Sequence, residues 1–321
     1  MLNLYILEIL KKYSDDEHHL TQKKIISLLQ RDFDIVCDRR SVKNNIDYLS
    51  GMDIEIGSDD GYWLVEREFD DAELRMLIDS VLFSRGVTQK QAKRLIGKLA
   101  NQSNIYFSAK VSHISNLPQL YHSPNKYIMY SVDTLDDAIS RRRKVEFTYN
   151  YYGRDFKLHP RREEAYKVSP YQMVAANGRF YLICNSEGHN NVAHYRVDRM
   201  TDVRMLEEKR RNPRELVEFR GGFDLPQHMA EHIYMFSGES AQVLMRCQNG
   251  MMNDLIDWFG SDIRIEDGDS DDYFLVHLRC NKRAMFYWAL QYGLRVEVLE
   301  PEDLREEIAR AVAEMAAKYS R

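Results

Sequence analysis

The chain has 321 residues, of which 44% are hydrophobic and 30% charged, and its net charge is −5. This composition suits an ordinary globular protein with two or three separate cores and argues against a generic basic nucleic-acid binder. No apolar run approaches the ~18 residues of a membrane span, and the start lacks a signal-peptide pattern. Cys37, Cys184, Cys247 and Cys280 are far apart and form no C-x-x-C pair, so reduced thiols and a cytoplasmic location are expected.

Leu4, Leu7 and Leu10 recur at helical spacing and predict a first helix over about residues 3–13. Thr21 can cap a second helix running to Arg31, and Asp38 a third from Arg39 to Ser50. Ile54–Ile56 and Tyr62–Val65, joined by the Ser58–Gly61 turn, make a short hairpin. Three helices and a hairpin, residues 1–66, form the pattern of a winged helix-turn-helix. Its third helix would present Arg39, Arg40, Ser41, Lys43 and Asn44 to the major groove. The segment is acidic overall, with 8 Lys/Arg against 13 Asp/Glu, so DNA binding must rest on that local cluster.

Two more helices, Asp70 to about Arg85 and Thr88 to Ala100, and a loop-rich stretch make residues 67–125 a helical connector. It could hold two DNA-binding units apart in a homodimer. Residues 126–211 read as a small barrel: a short helix at Leu135–Ile139, then strands at 145–149, 157–162, 166–176, 179–185 and 192–197. A helix followed by five short strands suits an Sm-like barrel, which carries ligands on loops and strand ends. Residues 212–238 are a linker. Residues 239–321 run β-α-β-β-α-β with a final helix, the order of a ferredoxin-like fold. The fold class is therefore multidomain α+β.

The most informative stretch is Val168–Cys184, two apolar strands joined at Asn177-Gly178, followed by Tyr195-Arg-Val-Asp-Arg-Met200. It lies in the one strongly basic block, residues 141–211, with 16 Lys/Arg against 9 Asp/Glu. At these residues the chain resembles the WYL domain family, named for a Trp-Tyr-Leu triplet that here is Phe180-Tyr181-Leu182. Tyr195–Met200 is similar to the family's aromatic-Arg-aliphatic-Asp-Arg-aliphatic element. Tyr287–Pro301 looks like the carboxy-terminal extension that accompanies the domain, the WCX type. The resemblance implies a bacterial transcription regulator with a winged helix, a ligand-sensing barrel and that extension. It also implies that Arg196 and Arg199 are basic ligand-binding residues. With them we group Tyr149, Arg161, Tyr171, Tyr181 and His194 as candidate ligand contacts.

His228-Met-Ala-Glu-His232 matches H-x-x-E-H, the zinc pattern of inverted metalloproteases. No third-ligand helix follows, so a plain surface or interface helix is preferred and no metal is assigned. The acidic Asp267–Asp272 stretch lacks the ligand order of an EF-hand and reads as a solvated turn. Arg141–Lys144 reads as a solvated helix end. With no positive catalytic signal, the expectation is a non-enzyme without a cofactor. It would bind a double-stranded DNA operator and a single-stranded nucleic acid or nucleotide-like anion. A small-molecule-responsive repressor of the same architecture is the alternative, and a zinc hydrolase the remote one.

Overall fold

The computed structural model describes residues 1–115, 122–268 and 270–320. Residues 116–121 of the expected connector loop, Asp269 of the acidic turn and Arg321 lie outside the described residues. The chain divides into two compact units, Met1–Pro124 and Asn125–Arg321.

The first unit opens with helices α1 (Leu2–Tyr13), α2 (Gln22–Phe33) and α3 (Arg39–Ser50). They enclose a core of Ile6, Ile9, Leu10, Ile25, Leu29, Val42, Ile46 and Leu49. Both expected caps form: the Thr21 side chain accepts from Lys24 N at 3.3 Å and Asp38 from Ser41 N at 2.7 Å. A short hairpin of β1 (Ile56–Gly57) and β2 (Trp63–Leu64) follows. Helices α4 (Asp71–Leu82) and α5 (Gln89–Ala100) each start with a capping box, Asp70 with Glu73 and Thr88 with Gln91.

The stretch after α5, expected as loop, contains a further helix, α6 (Ile105–Ser115). Its serines and β-branched residues hide a short apolar face of Phe107 and Val111, both buried at i, i+4 spacing. Asn104 is the signal that marks it: Oδ1 accepts from Tyr106 N at 2.9 Å and Phe107 N at 2.8 Å. The same side chain donates to the Ser14 carbonyl at 3.3 Å and Asp15 Oδ2 at 2.9 Å. One buried amide therefore caps α6 and ties it to the end of α1.

The second unit begins with α7 (Ile128–Ser140), longer than the expected 135–139. It packs on an antiparallel sheet of six strands: β3 (Arg143–Tyr152), β4 (Leu158–Pro160), β5 (Tyr166–Ala176), β6 (Arg179–Ser186), β7 (Ala193–Arg196) and β8 (Met200–Lys209). The order is β4-β3-β5-β6-β7, with β8 also on β3. Strand β3 thus meets three partners, and its register with β8 shifts between Arg143 and Val145 and between Glu146 and Thr148. Such bulges bend a strand and raise its twist, which curls the sheet. They also explain why β8 was missed. Its inward residues Met200, Val203 and Met205 break strict alternation, and apart from Leu206 its other positions are polar or charged. The Asn177-Gly178 turn has φ of 50° and 72°, the left-handed pair that a two-residue hairpin requires.

Residues 212–238, expected as a linker, pack on the outer face of this sheet. Leu216, Phe219 and Met235 bury against Tyr171, Val174, Ile183 and Val192, and the segment includes a short helix, α8 (Leu225–Glu231). Beyond it come β9 (Ser240–Gln248), α9 (Met252–Phe259), β10 (Arg264–Asp267), β11 (Tyr273–Asn281), α10 (Lys282–Gln291), β12 (Val296–Glu300) and α11 (Glu302–Tyr319). The sheet order is β10-β11-β9-β12, with α9 and α10 closing one core around Trp288.

Asn104→Ala should remove the α6 cap and the tie to α1 together, costing at least about 1 kcal/mol. Urea unfolding of the full chain followed by circular dichroism checks this. A variant as stable as the wild type would show that Asn104 plays no such part.

Candidate functional site

Helix α3 carries the first candidate surface. Arg39, Arg40, Lys43 and Asn44 are exposed and Ser41 is half-buried beside the Asp38 cap. None of the three cations forms an ion pair among the described residues, whereas Lys11, Lys12 and Arg31 elsewhere in the three-helix segment each do. The apolar face made by Val42, Ile46 and Leu49 turns inward, so the basic start of the helix faces solvent.

The second candidate lies where β7 runs into β8. Arg196 is clamped: Nε donates to Asp198 Oδ1 at 3.0 Å and Nη2 to Oδ2 at 2.7 Å. The Asp198 side chain is 1% exposed and that of Arg196 16%. Burial disfavours the Arg196 charge, but the Asp198 hydrogen bonds outweigh it and its pKa ends raised. The backbone N–H of Arg196 donates to Tyr149 Oη at 3.2 Å, and Tyr181 lies opposite Arg196 in the β6–β7 register. Tyr149 is buried with Phe147, Tyr166 and Tyr195, and burial pushes its phenol up. Arg196 is therefore part of the framework, with Nη1 its only guanidinium nitrogen lacking a bond among the described residues.

Arg199 is different. It is half-buried, forms no ion pair among the described residues, and its Nε is buried without a hydrogen-bond partner. Its guanidinium sits 5.8 Å from the centre of the Tyr152 ring. A buried N–H left unpaired is costly and calls for an explanation. Arg161 is exposed near this end of β3, its backbone N–H donating to the Tyr149 carbonyl at 2.9 Å. Arg162 is held over the Tyr166 ring at 3.6 Å.

The basic block does not converge on one place. Arg141, Arg142, Arg143, Lys209, Arg210 and Arg211, with Arg214, line a separate groove of about 690 Å³. Arg143 pairs with Lys209 at the start of β3, while Tyr149 pairs with Met200 toward its end. Those two pairs are six residues apart, so the groove and the Arg199 end are separated by roughly 20 Å along the strand. Tyr171 belongs with the groove: Arg210 lies 5.4 Å from its ring centre, and burial raises its phenol to about 12. Of the stretch Arg141–Lys144, expected to be merely a solvated helix end, Arg141, Arg142 and Arg143 thus form one wall of a cationic groove, while Lys144 pairs with Glu187 and Glu208. The repeat of arginines at Lys209-Arg210-Arg211 was the signal for the other wall.

His194 departs furthest from expectation. It lies on β7 two residues before Arg196, yet its Nε2 meets His228 Nε2 at 2.8 Å. His228 and His232, expected on a plain surface or interface helix, are 7% and 3% exposed. The reason is the packing of residues 212–238 on the sheet, which a sequence pattern does not reveal.

A WYL domain model matches residues 131–205 and a WCX domain model matches residues 237–316. The chain carries a WYL domain and a WCX domain. Its WYL domain comprises the α7–β8 sheet, and its WCX domain the β9–α11 region. No curated protein matches the chain. Among solved structures, Proteasome accessory factor B/C (PafBC) of Arthrobacter aurescens is similar over 99% of this chain and 49% of its own, at 15% identity and a TM-score of 0.31. A structure described as a CRISPR Cas-related protein is similar over 99% of this chain and 84% of its own, at 14% identity and a TM-score of 0.42. The chain spans about half the length of the PafBC chain, and at these values neither likeness speaks to function. No described helix is long and apolar enough to cross a membrane.

Asp198→Ala should leave the Arg196 charge half-buried and unmatched, destabilising the WYL domain by about 3–5 kcal/mol. Arg196→Ala should be comparably harmful to stability. Thermal melts of both full-length variants check this, and melting temperatures equal to wild type would mean the pair is not structural.

Proposed function

We propose that this WYL-domain protein is a transcription regulator and not an enzyme. The first three helices and hairpin act as a winged helix-turn-helix on duplex DNA. The exposed, unpaired Arg39, Arg40 and Lys43 at the capped start of α3 carry this reading, because recognition helices present such residues to base edges and phosphates. Two copies of the chain, as a homodimer, would meet the two halves of a palindromic operator. A cytoplasmic location follows from that role.

The WYL domain is the sensor. Its effector is a short single-stranded nucleic acid or a nucleotide-like anion held at the Arg199 end of β3. The buried, unpaired Nε of Arg199 supports this placement, as do the neighbouring Tyr152 ring and exposed Arg161. Aromatic rings and cations together suit single strands without strict sequence preference. Arg196 shapes this end through Asp198 and Tyr149, and Tyr181 lies beside it. The Arg141–Arg143 and Lys209–Arg211 groove offers phosphate contacts at the other end of the sheet.

Duplex binding should weaken steeply with salt, and Arg39→Ala with Arg40→Ala and Lys43→Ala should reduce the slope of log K against log salt by about 2–3. Fluorescence anisotropy of the full chain across salt concentrations measures this. An unchanged slope and affinity would remove the winged helix from the DNA contact.

For the sensor, Arg199→Ala should weaken binding of a labelled short single strand by roughly ten- to a hundredfold, the worth of one charge-assisted contact. Arg141→Ala with Arg142→Ala is the comparison. If the groove pair abolishes strand binding while Arg199→Ala binds as wild type, the effector site lies at the wrong end of the sheet.

A further inference from the structure

Three imidazoles meet where α8 packs against β7. The ring centres of His194 and His228 are 5.0 Å apart, those of His194 and His232 4.9 Å, and those of His228 and His232 4.3 Å. The Glu218 carboxylate joins from the turn at Val217–Phe219. One ligand atom each from Glu218, His228 and His232 lies within 4.8 Å of the others. Glu218, His228 and His232 open on a cavity of about 720 Å³, also lined by Asn191, Glu231 and Arg279.

We propose that His194, His228, His232 and Glu218 form a binding site for a divalent transition-metal ion of the zinc class. Imidazole-rich sets with one carboxylate suit such ions. The donors come from three separate elements, so they are converged by tertiary packing and not by a sequence accident within α8.

The local hydrogen bonds prepare the donors. The Phe236 carbonyl can only accept, so the 3.0 Å contact at His232 Nδ1 places the proton on Nδ1 and leaves the Nε2 lone pair for a ligand. A second group that holds the outer nitrogen is the usual arrangement of a metal-binding histidine. The His194 backbone N–H donates to Ser237 Oγ at 3.0 Å, and Asn177 Nδ2 donates to the Ile233 carbonyl at 3.2 Å. These bonds pin the 232–237 segment to the sheet. His194 Nε2 and His228 Nε2, now 2.8 Å apart, need to part only to about 3.3 Å to share a tetrahedral ion at ordinary Zn–N distances. Burial lowers all three histidines, His228 to about 3 and His194 well below its ordinary value.

The site binds metal without hydrolysing anything. Glu218, His228 and His232 supply three donors, and His194 Nε2, turned from His228 to the ion, would supply the fourth, which would close a tetrahedral shell and leave no position for a reactive water. Glu231, the acid that the H-x-x-E-H pattern would use as a base, is 13% exposed, and its Oε1 takes Arg279 Nε at 3.2 Å and Gln227 Nε2 at 3.0 Å. The consequence is mechanical. An ion there locks the segment leading to the WCX domain onto the strand that carries Arg196.

The test uses the full chain stripped with a chelator and titrated with Zn²⁺ alone by calorimetry, with Co²⁺ absorption as a second readout. The expected result is one ion per chain, a tetrahedral cobalt spectrum, and a higher melting temperature with Zn²⁺. His194→Ala and His232→Ala should each weaken binding by roughly a hundredfold or more, while His189→Ala, an exposed histidine outside the cluster, should bind as wild type. Circular dichroism of the stripped proteins checks that the variants fold. Because the first measurement needs only the wild type, misfolded variants do not rescue the idea. A wild type that takes up no Zn²⁺, or folded cluster variants that bind it equally well, overturns the site.

Discussion

The second unit depends on one strand. Strand β3 is ten residues long and pairs with β4, β5 and β8. A strand can serve three partners only if it bends, and the two register shifts against β8 supply the bend. The curl encloses Phe147, Tyr149 and Val145 under α7. It also sets the distance between the two cationic ends of the WYL domain. Arg143 begins the groove with Lys209, and Tyr152 ends near Arg199. What a sequence count presents as one basic block is two surfaces joined by a rigid strand.

The same constraint explains how Arg196 and Arg199 come to differ, though only Val197 and Asp198 separate them. The chain makes a tight turn at Val197–Arg199, which sends Asp198 inward. Asn125 Nδ2 holds the carbonyls of Asp198 and Met200 at 3.2 and 2.7 Å, so the turn is fixed from below by the segment leading into α7. Arg196 satisfies Asp198, and Arg199 has no acid partner among the described residues. The turn thus separates a cation held by an acid from one whose Nε is buried without a partner.

Much of the architecture was legible in the sequence, because local chemistry decided it. Thr21, Asp38, Asp70 and Thr88 cap the helices at or within one residue of the expected starts. Asn177-Gly178 marks its hairpin because both residues adopt positive φ. The failures are equally physical. Among the described side chains of helix α6, Phe107 and Val111 are the buried ones, and β8 loses its alternation at bulges. The site was harder to read. Arg39, Arg40 and Lys43 stand where the spacing put them, since a helix face follows from its period. His194 and His228 are 34 residues apart in sequence and hydrogen-bonded. Nothing short of the packing of Leu216, Phe219 and Met235 on the outer sheet face brings them together. The separation of Tyr171 from Tyr149 has the same origin, because the two side chains enter cores on opposite faces of the sheet.

A sensor must change the affinity of one site through occupation of another, and that coupling is reciprocal. The most direct test of the proposed regulator is therefore the operator affinity of the full chain with and without a saturating short single strand. The account predicts a shift of about 5- to 150-fold in either direction, matched by an equal shift of strand affinity on adding operator, and lost in Arg199→Ala. Operator affinity that stays the same while the strand is fully bound would contradict it.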